Sequence, residues 1–103
     1  MSVLVEFAMF PTDKGESVSA YVSRILKMFQ EGEVPYQLTP MGTIFETETM
    51  AQALKVIQEA YERLSPDSNR IYATVKFDIR RGAVGRMKGK IASIERRIGK
   101  VIS

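Results

Sequence analysis

Two kinds of hydrophobic periodicity alternate along this chain of 103 residues, and their order is the feature that most restricts the fold. Strand-type alternation fits Val3–Phe10, Tyr36–Leu38, Thr43–Thr47 and Arg70–Arg80. Helix-type spacing fits Ser17–Glu31, a second helix opened by a capping box from Thr49 to Gln52, and a last helix over Met87–Val101. The sequence therefore predicts the order β-α-β-β-α-β followed by a C-terminal helix.

Each predicted helix carries an apolar stripe that must be buried. The stripes are Val18, Val22, Ile25, Leu26 and Phe29 in the first helix, Met50, Ala53, Leu54, Ile57, Ala60, Tyr61 and Leu64 in the second, and Met87, Ile91, Ile94, Ile98 and Val101 in the last. Ser17 or Glu16 is expected to cap the first helix, and Gly32 to end it. Pro40-Met41-Gly42 predicts a hairpin turn between the two short strands.

The predicted order is typical of an α+β, ferredoxin-like domain, and we expect residues 1–103 to form one such domain. Right-handed crossovers place the first and third strands in the middle of an antiparallel sheet, with both helices on one face. Ile71 and Phe77 belong to the face that suits the helices. The other face then holds Tyr72, Thr74, Lys76 and Asp78 beside Leu4, Glu6, Ala8 and Phe10. Because this second face mixes large apolar groups with few charges, we expect a homo-oligomer in which sheet faces or edges meet.

Composition excludes several kinds of site. The chain has no cysteine and no histidine, which excludes disulfides, thiolate and histidine metal sites, a cysteine nucleophile and a serine–histidine–aspartate triad. An enzyme is therefore the poorest hypothesis. The N-terminus has no basic leader, and the longest uncharged run, Val34–Phe45, has twelve residues and two prolines. We expect a cytoplasmic protein.

Charge is divided unevenly along the chain. Residues 80–103 hold eight basic residues and one acidic residue, a net charge of +7, whereas residues 1–79 carry −4. Such a basic end can bind phosphate or nucleic acid. Its apolar stripe favours the alternative, a helix that packs on its own acidic body or on a neighbouring subunit. The glycines Gly82, Gly85 and Gly89 in this region do not form a phosphate-binding loop pattern.

Two polar groups are candidates for ligand contacts. Glu6, Lys76 and Asp78 should meet on the outer face, where they either bind a polar ring or form cross-strand ion pairs. Gly42 allows close approach of a ligand or of backbone, and the Thr43 hydroxyl both donates and accepts hydrogen bonds. Spacing alone favours a plain hairpin turn at Pro40–Thr43.

Four segments, taken in order, resemble the thiamine-binding YkoF-like family of small ferredoxin-like proteins. They are Phe7-Ala8-Met9-Phe10-Pro11, Ser17-Val18-Ser19 with Tyr21-Val22, Tyr36 to Glu46 (YQLTPMGTIFE), and Val75 to Arg80 (VKFDIR). The resemblance covers nearly the whole chain, and YQLTPMGTIFE is its most specific part. It implies a protein that binds thiamine or its hydroxymethylpyrimidine moiety without catalysis or cofactor, in salvage or transport, and that forms dimers or tetramers through its sheets.

The resemblance also implies where the ligand lies, near the end of the first strand and the start of the third. Matched by motif, those positions are Met9 and Thr43. Phe7, Phe10 or Phe45 could cover a flat pyrimidine, and Glu46 or Asp78 could neutralise a cationic thiazolium. The candidate ligand-binding residues are Met9, Phe10, Thr43, Phe45, Glu46 and Asp78.

Two other functions use the same order of strands and helices. An RNA-binding module would need the aromatic RNP1 pattern, but the third strand reads Gly42 to Thr47 (GTIFET), with an acid where that pattern requires an aromatic or aliphatic residue. A regulatory subunit that senses a ligand and contacts another protein remains the alternative to a simple binder.

Overall fold

The computed structural model describes residues 1–82 and 85–101, apart from the side chains of Lys88 and Lys90. The elements are β1 (Ser2–Pro11), α1 (Ser19–Glu31), β2 (Tyr36–Thr39), β3 (Gly42–Thr47), α2 (Met50–Leu64), a short 3₁₀ turn (Ser65–Asp67), β4 (Ile71–Arg80) and α3 (Arg86–Ile98). This order confirms the ferredoxin-like prediction with its added C-terminal helix. Among the described residues, no helix is long and apolar enough to cross a membrane.

The four strands form one antiparallel sheet in the order β2-β3-β1-β4, so the first and third strands are central, as predicted. The register pairs Val5 with Phe45 on one side and with Phe77 on the other. Because side chains of directly paired residues share a face, this register fixes which residues meet the helices.

The core lies between the sheet and the pair α1 and α2. Val3, Val5, Phe7 and Met9 of β1 are buried there together with Ile25, Met28 and Phe29 of α1, Phe45 of β3, and Ala53, Val56, Ala60 and Leu64 of α2. Their burial supplies the main driving force for folding, at roughly 1.5–3 kcal/mol for each large apolar side chain before entropy is counted. The predicted capping box holds the start of α2, since Thr49 accepts from the Gln52 amide and the Gln52 side chain accepts from the Thr49 amide.

Some local predictions are wrong. α1 begins at Ser19, and Val18 stands at its N-cap without a side-chain hydrogen bond, so neither Ser17 nor Glu16 caps it. In α2, Val56 is buried while Leu54 and Tyr61 are 53% and 45% exposed. The physical reason is that α2 packs over β1 and β3, which turns the Val56 side inward. The edge strand β4 is covered less, so Phe77 and Ile79 remain 37% and 50% exposed.

The outer face of the sheet, opposite α1 and α2, carries the predicted residues. Leu4 pairs with Asp78, Glu6 with Lys76, Ala8 with Thr74 and Phe10 with Tyr72. The C-terminal helix α3 packs against β1 and β3 on this face. Leu4 and Ile44 of the sheet meet Met87 and Ile91 of α3 around an almost wholly apolar hollow of about 210 Å³. Ile94 also lines this hollow, so α3 lies on its own sheet from Arg86 to Ile94, as the sequence favoured.

Candidate functional site

A cleft opens at the end of the sheet where β1 finishes, between α1 and the β2–β3 hairpin. Its volume is about 230 Å³. Its lining comes from three places: Phe7, Ala8, Met9 and Phe10 of β1, Val18, Val22, Ile25 and Leu26 at α1, and Leu38, Thr39, Pro40, Met41, Gly42 and Thr43 of the hairpin. No charged residue belongs to this lining.

The hairpin forms the cleft wall because two residues fix its turn. The Thr39 hydroxyl donates to the Gly42 carbonyl at 2.9 Å and accepts from the Met41 amide at 3.3 Å. Gly42 lies so close to β1 that a Cβ atom at this position would stand 2.6 Å from the Phe7 carbonyl oxygen. Glycine is therefore required at position 42, and its close approach holds the turn against the last residues of β1.

The cleft is mainly apolar, and its two side-chain hydroxyls are that of Thr39, which is used in the hairpin turn, and that of Thr43. Thr43 is 4% exposed. Among the described residues its hydroxyl makes no hydrogen bond, and its oxygen is not one of the side-chain atoms that are both fully buried and without a partner. A hydroxyl in this state can donate to a ring nitrogen and accept from an exocyclic amine. Two aromatic residues belong to the lining: Phe7, which is 2% exposed on the core face of β1, and Phe10, which points to the opposite face beside Tyr72. The arrangement can bind an uncharged heterocycle.

The structure brings Met9, Phe10 and Thr43 together in this cleft, whereas the other candidates lie elsewhere. Phe45 is fully buried behind the cleft wall. Its ring centroid is 5.6 Å from that of Phe7, with the rings nearly perpendicular, and 5.5 Å from that of Phe29. Phe45 therefore supports Phe7 from within the core and does not reach the cleft.

Glu46 and Asp78 lie on the outer face at the opposite end of the sheet, in a group that we call the clamp: Ser2, Glu46, Asp78 and Arg86. Ser2 donates from its hydroxyl to Glu46 Oε2 at 2.6 Å. The backbone amides of Arg86 and Met87, at the start of α3, donate to the two Glu46 carboxylate oxygens at 3.1 and 3.2 Å. A carboxylate from β3 thus caps α3 across 40 residues of sequence, where the helix dipole favours a negative charge.

The Arg86 guanidinium completes the clamp. Its Nε donates to the Ser2 hydroxyl at 2.9 Å, its Nη2 to the carbonyls of Ser2 and Asp78, and its Nη1 lies 3.0 Å from Asp78 Oδ2. Every nitrogen of Arg86 therefore has a partner, and both carboxylates of the clamp are engaged, although the Asp78 side chain remains 59% exposed. Charge-assisted bonds of this kind are stronger than neutral ones.

The electrostatics of Glu46 reflect this saturation. Burial alone would raise the pKa of its carboxyl, because burial disfavours the charged form. The hydrogen bonds from Ser2 and from the amides of Arg86 and Met87, together with the nearby Arg86 charge, outweigh burial and lower that pKa below its usual range. Glu46 is therefore ionised at neutral pH and stabilises the folded state in that form.

The third predicted group lies between the two ends of the sheet. Glu6 and Lys76 face each other across β1 and β4, with Lys76 Nζ 3.9 Å from Glu6 Oε1, and both side chains are well exposed. This contact is the cross-strand ion pair that the sequence allowed, and Asp78 does not join it because Arg86 holds its carboxylate. Among the described residues, no cluster of acidic side chains could hold a metal ion.

From the sequence, Gly42 and Thr43 of the hairpin were candidates for ligand contacts, whereas the α1 residues of the cleft and two members of the clamp were not predicted. Val18, Val22 and Leu26 were assigned to the core stripe of the first helix. Leu38 and Met41 are apolar residues beside a proline turn, where polar residues are the rule, and this anomaly could have indicated a binding rim. Ser2 and Arg86 carry no such signal, since their partners are 44 and 84 residues distant.

Solved structures of similar proteins share this architecture. A protein from Methanocaldococcus jannaschii superposes with a TM-score of 0.79 at 28% identity, covering 90% of this chain and 95% of that one. A Thermotoga maritima protein, named as a candidate thiamine biosynthesis/salvage protein, gives a TM-score of 0.77 at 16% identity, covering 91% of this chain and 99% of that one. At that low identity, the second likeness shows the fold alone.

Relatives in sequence extend over almost the whole chain. A UPF0045 protein from Mycobacterium tuberculosis is 34% identical over 96 residues, which are 93% of this chain and 94% of the relative. A UPF0045 protein from Bacillus subtilis is 33% identical over 87 residues, which are 80% of this chain and 83% of the relative. The sequence profile of the family described as "Thiamine-binding protein" matches residues 5–95, which include the whole cleft and most of the clamp. The chain belongs to this thiamine-binding protein family.

Proposed function

We propose that this protein binds thiamine or its hydroxymethylpyrimidine moiety in the cleft without transforming it, in thiamine salvage or transport. The observation that carries the proposal is the Thr43 hydroxyl, which makes no hydrogen bond among the described residues and lies in a mainly apolar cleft. Thr43 can hydrogen-bond the edge of an aminopyrimidine while the apolar side chains of the lining contact its flat face. Membership of the family and the name of the Thermotoga protein support the ligand class.

The uncharged lining supports binding of the neutral part of thiamine. A cationic thiazolium in the cleft would lose water without meeting a carboxylate, since Glu46 and Asp78 are held in the clamp. A phosphate group would likewise find no basic side chain in the lining. The neutral pyrimidine is therefore the part that fits, with the thiazolium or any phosphate directed to solvent.

Binding without catalysis is supported by the same lining. General acid–base catalysis needs a titratable side chain within hydrogen-bond reach of the reacting group. The cleft lining has neither a carboxylate nor a lysine, and the chain has no histidine or cysteine. The cleft can retain and release a ligand but lacks a group to move its protons.

We further propose that the protein acts as a homo-oligomer, a dimer or tetramer, with the ligand held near a subunit interface. Two features support the assembly. The outer face beyond α3 keeps Tyr72 55% exposed beside Phe10, and the long edge strand β4 leaves Phe77 and Ile79 in contact with water. Exposed apolar groups along an edge strand commonly mark an interface.

Titration calorimetry with hydroxymethylpyrimidine, thiamine and thiamine diphosphate tests the function. We expect hydroxymethylpyrimidine and thiamine to bind, and Thr43→Val to weaken both about fivefold to tenfold, since one hydrogen bond contributes roughly 1 kcal/mol. Thr74→Val, a matched change on the outer face, should leave the affinities unchanged. No heat of binding from any of the three compounds to the wild type would refute the proposal.

A further inference from the structure

The backbone of β1 faces its two neighbouring strands in alternation. In an antiparallel sheet, successive residues of a central strand direct their N–H and C=O groups first to one neighbour and then to the other. The Thr12 amide, just beyond β1, donates to the Arg70 carbonyl at 2.8 Å on the β4 side. The Phe7 carbonyl oxygen, in contrast, would lie 2.6 Å from a Cβ at Gly42 and therefore points to β3. Even-numbered residues of β1 thus bond β4, and odd-numbered residues face β3.

The hydrogen bonds of β3 agree with this alternation. The Glu46 amide donates to the Pro35 carbonyl at 3.2 Å, on the β2 side. The odd-numbered residues of β3 are therefore the ones that bond β1. Thr43 is the first of them, and it pairs with Phe7. The hydrogen-bonded ladder between β1 and β3 ends at this pair.

Met9 is the next residue of β1 whose backbone is directed to the β3 side, and no strand lies opposite it. The chain before Gly42 turns away to β2 through Pro40 and Met41. Among the described residues, the N–H and C=O of Met9 make no hydrogen bond. Pro11, the following residue with this orientation, has no N–H to donate and is fully buried. The open edge of β1 is therefore one residue long, and Met9 belongs to the lining of the cleft.

The size of this edge indicates what it can bind. A backbone N–H and C=O left without partners are costly, so water or a ligand must satisfy them. A peptide that extends a sheet uses an open edge of several residues, whereas an edge of one residue matches a single ring. One N–H beside one C=O is complementary to a ring nitrogen beside an exocyclic amine. The N–H donates to the ring nitrogen, and the C=O accepts from the amine.

We propose that the backbone of Met9 recognises this edge of the ligand, and that the cleft selects heterocycles with an amine next to an unprotonated ring nitrogen. The aminopyrimidine of thiamine has this arrangement. The inference rests on the proposed function and names the chemical class that the cleft accepts. The Thr43 hydroxyl remains available for the second hydrogen of the amine.

The proposed pairing discriminates against an oxo ring, in which a carbonyl replaces the amine and the neighbouring ring nitrogen carries a proton. Such a ring presents its donor and its acceptor in the reverse order. It can match the N–H and C=O of Met9 only after turning over, which directs its side substituent to the opposite end of the cleft. In the original orientation, two acceptors and two donors would face each other.

Titration calorimetry with matched compounds tests the selection. Hydroxymethylpyrimidine is compared with its oxo counterpart, and thiamine with oxythiamine. We expect the wild type to prefer the amino compounds about thirtyfold, since two hydrogen bonds of roughly 1 kcal/mol each are lost in the oxo compounds. Met9→Leu, which keeps the backbone groups, should retain the preference. Thr43→Val should bind all compounds more weakly and still prefer the amino form about tenfold.

Nuclear magnetic resonance tests the contact itself. The chain has six methionines, so selective ¹⁵N labelling of methionine gives a simple amide spectrum, and Met9→Leu identifies the Met9 signal. At saturating hydroxymethylpyrimidine, we expect the Met9 amide proton to shift downfield and to exchange more slowly with solvent. Met28, which is buried in α1 outside the cleft lining, is the control and should not respond.

The other outcomes separate this inference from the proposed function. Equal affinity for amino and oxo compounds, or a Met9 amide that does not respond while hydroxymethylpyrimidine binds, would overturn the inference and leave the proposed function intact. A preference that disappears in Thr43→Val would assign recognition of the amine to the hydroxyl and would also overturn it. If none of the four compounds binds the wild type, the proposed function fails and the inference fails with it.

Discussion

The two ends of the central strands β1 and β3 differ in how they use polar groups. At the clamp, four polar residues satisfy one another: Glu46 receives three hydrogen bonds, and Arg86 is bonded through all its nitrogens. At the cleft, a single hydroxyl, that of Thr43, lacks a partner among the described residues and faces an apolar hollow. The comparison indicates that the polar groups of the clamp are engaged within the fold, whereas the Thr43 hydroxyl keeps its hydrogen-bonding capacity for another partner.

The largest expected effect on stability comes from removing the Glu46 carboxylate from the clamp. Glu46→Ala removes the cap of α3 and leaves the Arg86 charge with only Asp78, so we expect the free energy of unfolding to fall by about 3 kcal/mol. Urea denaturation measures this loss, and calorimetry on the folded variant should give wild-type affinity for thiamine. Glu48→Ala, an exposed neighbour, is the matched control and should change stability by less than about 0.5 kcal/mol.

A different result for Glu46→Ala would contradict the assignment of the clamp to stability and of the cleft to ligand binding. If the variant keeps its stability and loses thiamine affinity, the carboxylate serves the ligand, and the outer face is the binding site. Both measurements are needed, because loss of binding in an unfolded variant carries no information about contact.

A somewhat smaller effect is expected at the cleft. Gly42→Ala places a methyl group against the Phe7 carbonyl, a backbone atom that cannot turn aside, so we expect a loss of about 2 kcal/mol together with weaker ligand binding. Gly32→Ala is the control, because its added Cβ would meet the nearest backbone atom at an ordinary 3.5 Å. Thermal denaturation and calorimetry measure the two quantities. Equal stability of both variants would contradict the close approach.

The smallest expected effect is a pH dependence of stability that arises from Glu46 in the clamp and not from the cleft. The pKa of Glu46 is lower in the folded protein than its usual 4.5, so the unfolded chain takes up the proton first as the pH falls. The stabilisation is therefore complete above about pH 5 and is lost as the pH drops through the lowered pKa. Denaturation of Glu46→Gln between about pH 6 and pH 3 should show a flatter profile than the wild type, and a parallel profile would contradict this origin.

Ligand binding should respond differently over the same interval. Because the cleft lining has no titratable carboxylate, the affinity for thiamine is expected to stay level while stability declines, as long as the protein remains folded. Exposed Asp13 and Asp67 also have lowered pKa values, through hydrogen bonds from the Asn69 amide and from Arg24 respectively. Comparing the wild type with Glu46→Gln removes the contribution of Asp13 and Asp67, since both proteins retain these two residues.

Fold and site differ in how far local pattern predicts them. The strand β4 and the Thr49 capping box depend on neighbours within a few residues, and the structure confirms both elements. Val56 is buried and Leu54 is exposed because of the strands that α2 crosses. The spacing of apolar residues along one helix does not determine which strands those are. Met9 and Thr43 could be placed together from motif and strand order, whereas the α1 wall of the cleft could not, because it depends on helix packing.

The amino-acid order by itself determined the succession of strands and helices, the central position of β1 and β3, and the absence of histidine and cysteine chemistry, because these follow from local periodicity, crossover handedness and composition. Only the tertiary structure decided that Glu46 and Asp78 are bound to Arg86 and that Phe45 lies in the core. The reason is that a carboxylate on a strand has the same local pattern whether it meets a ligand or a helix terminus. Its partner is chosen by packing between elements that are distant in sequence.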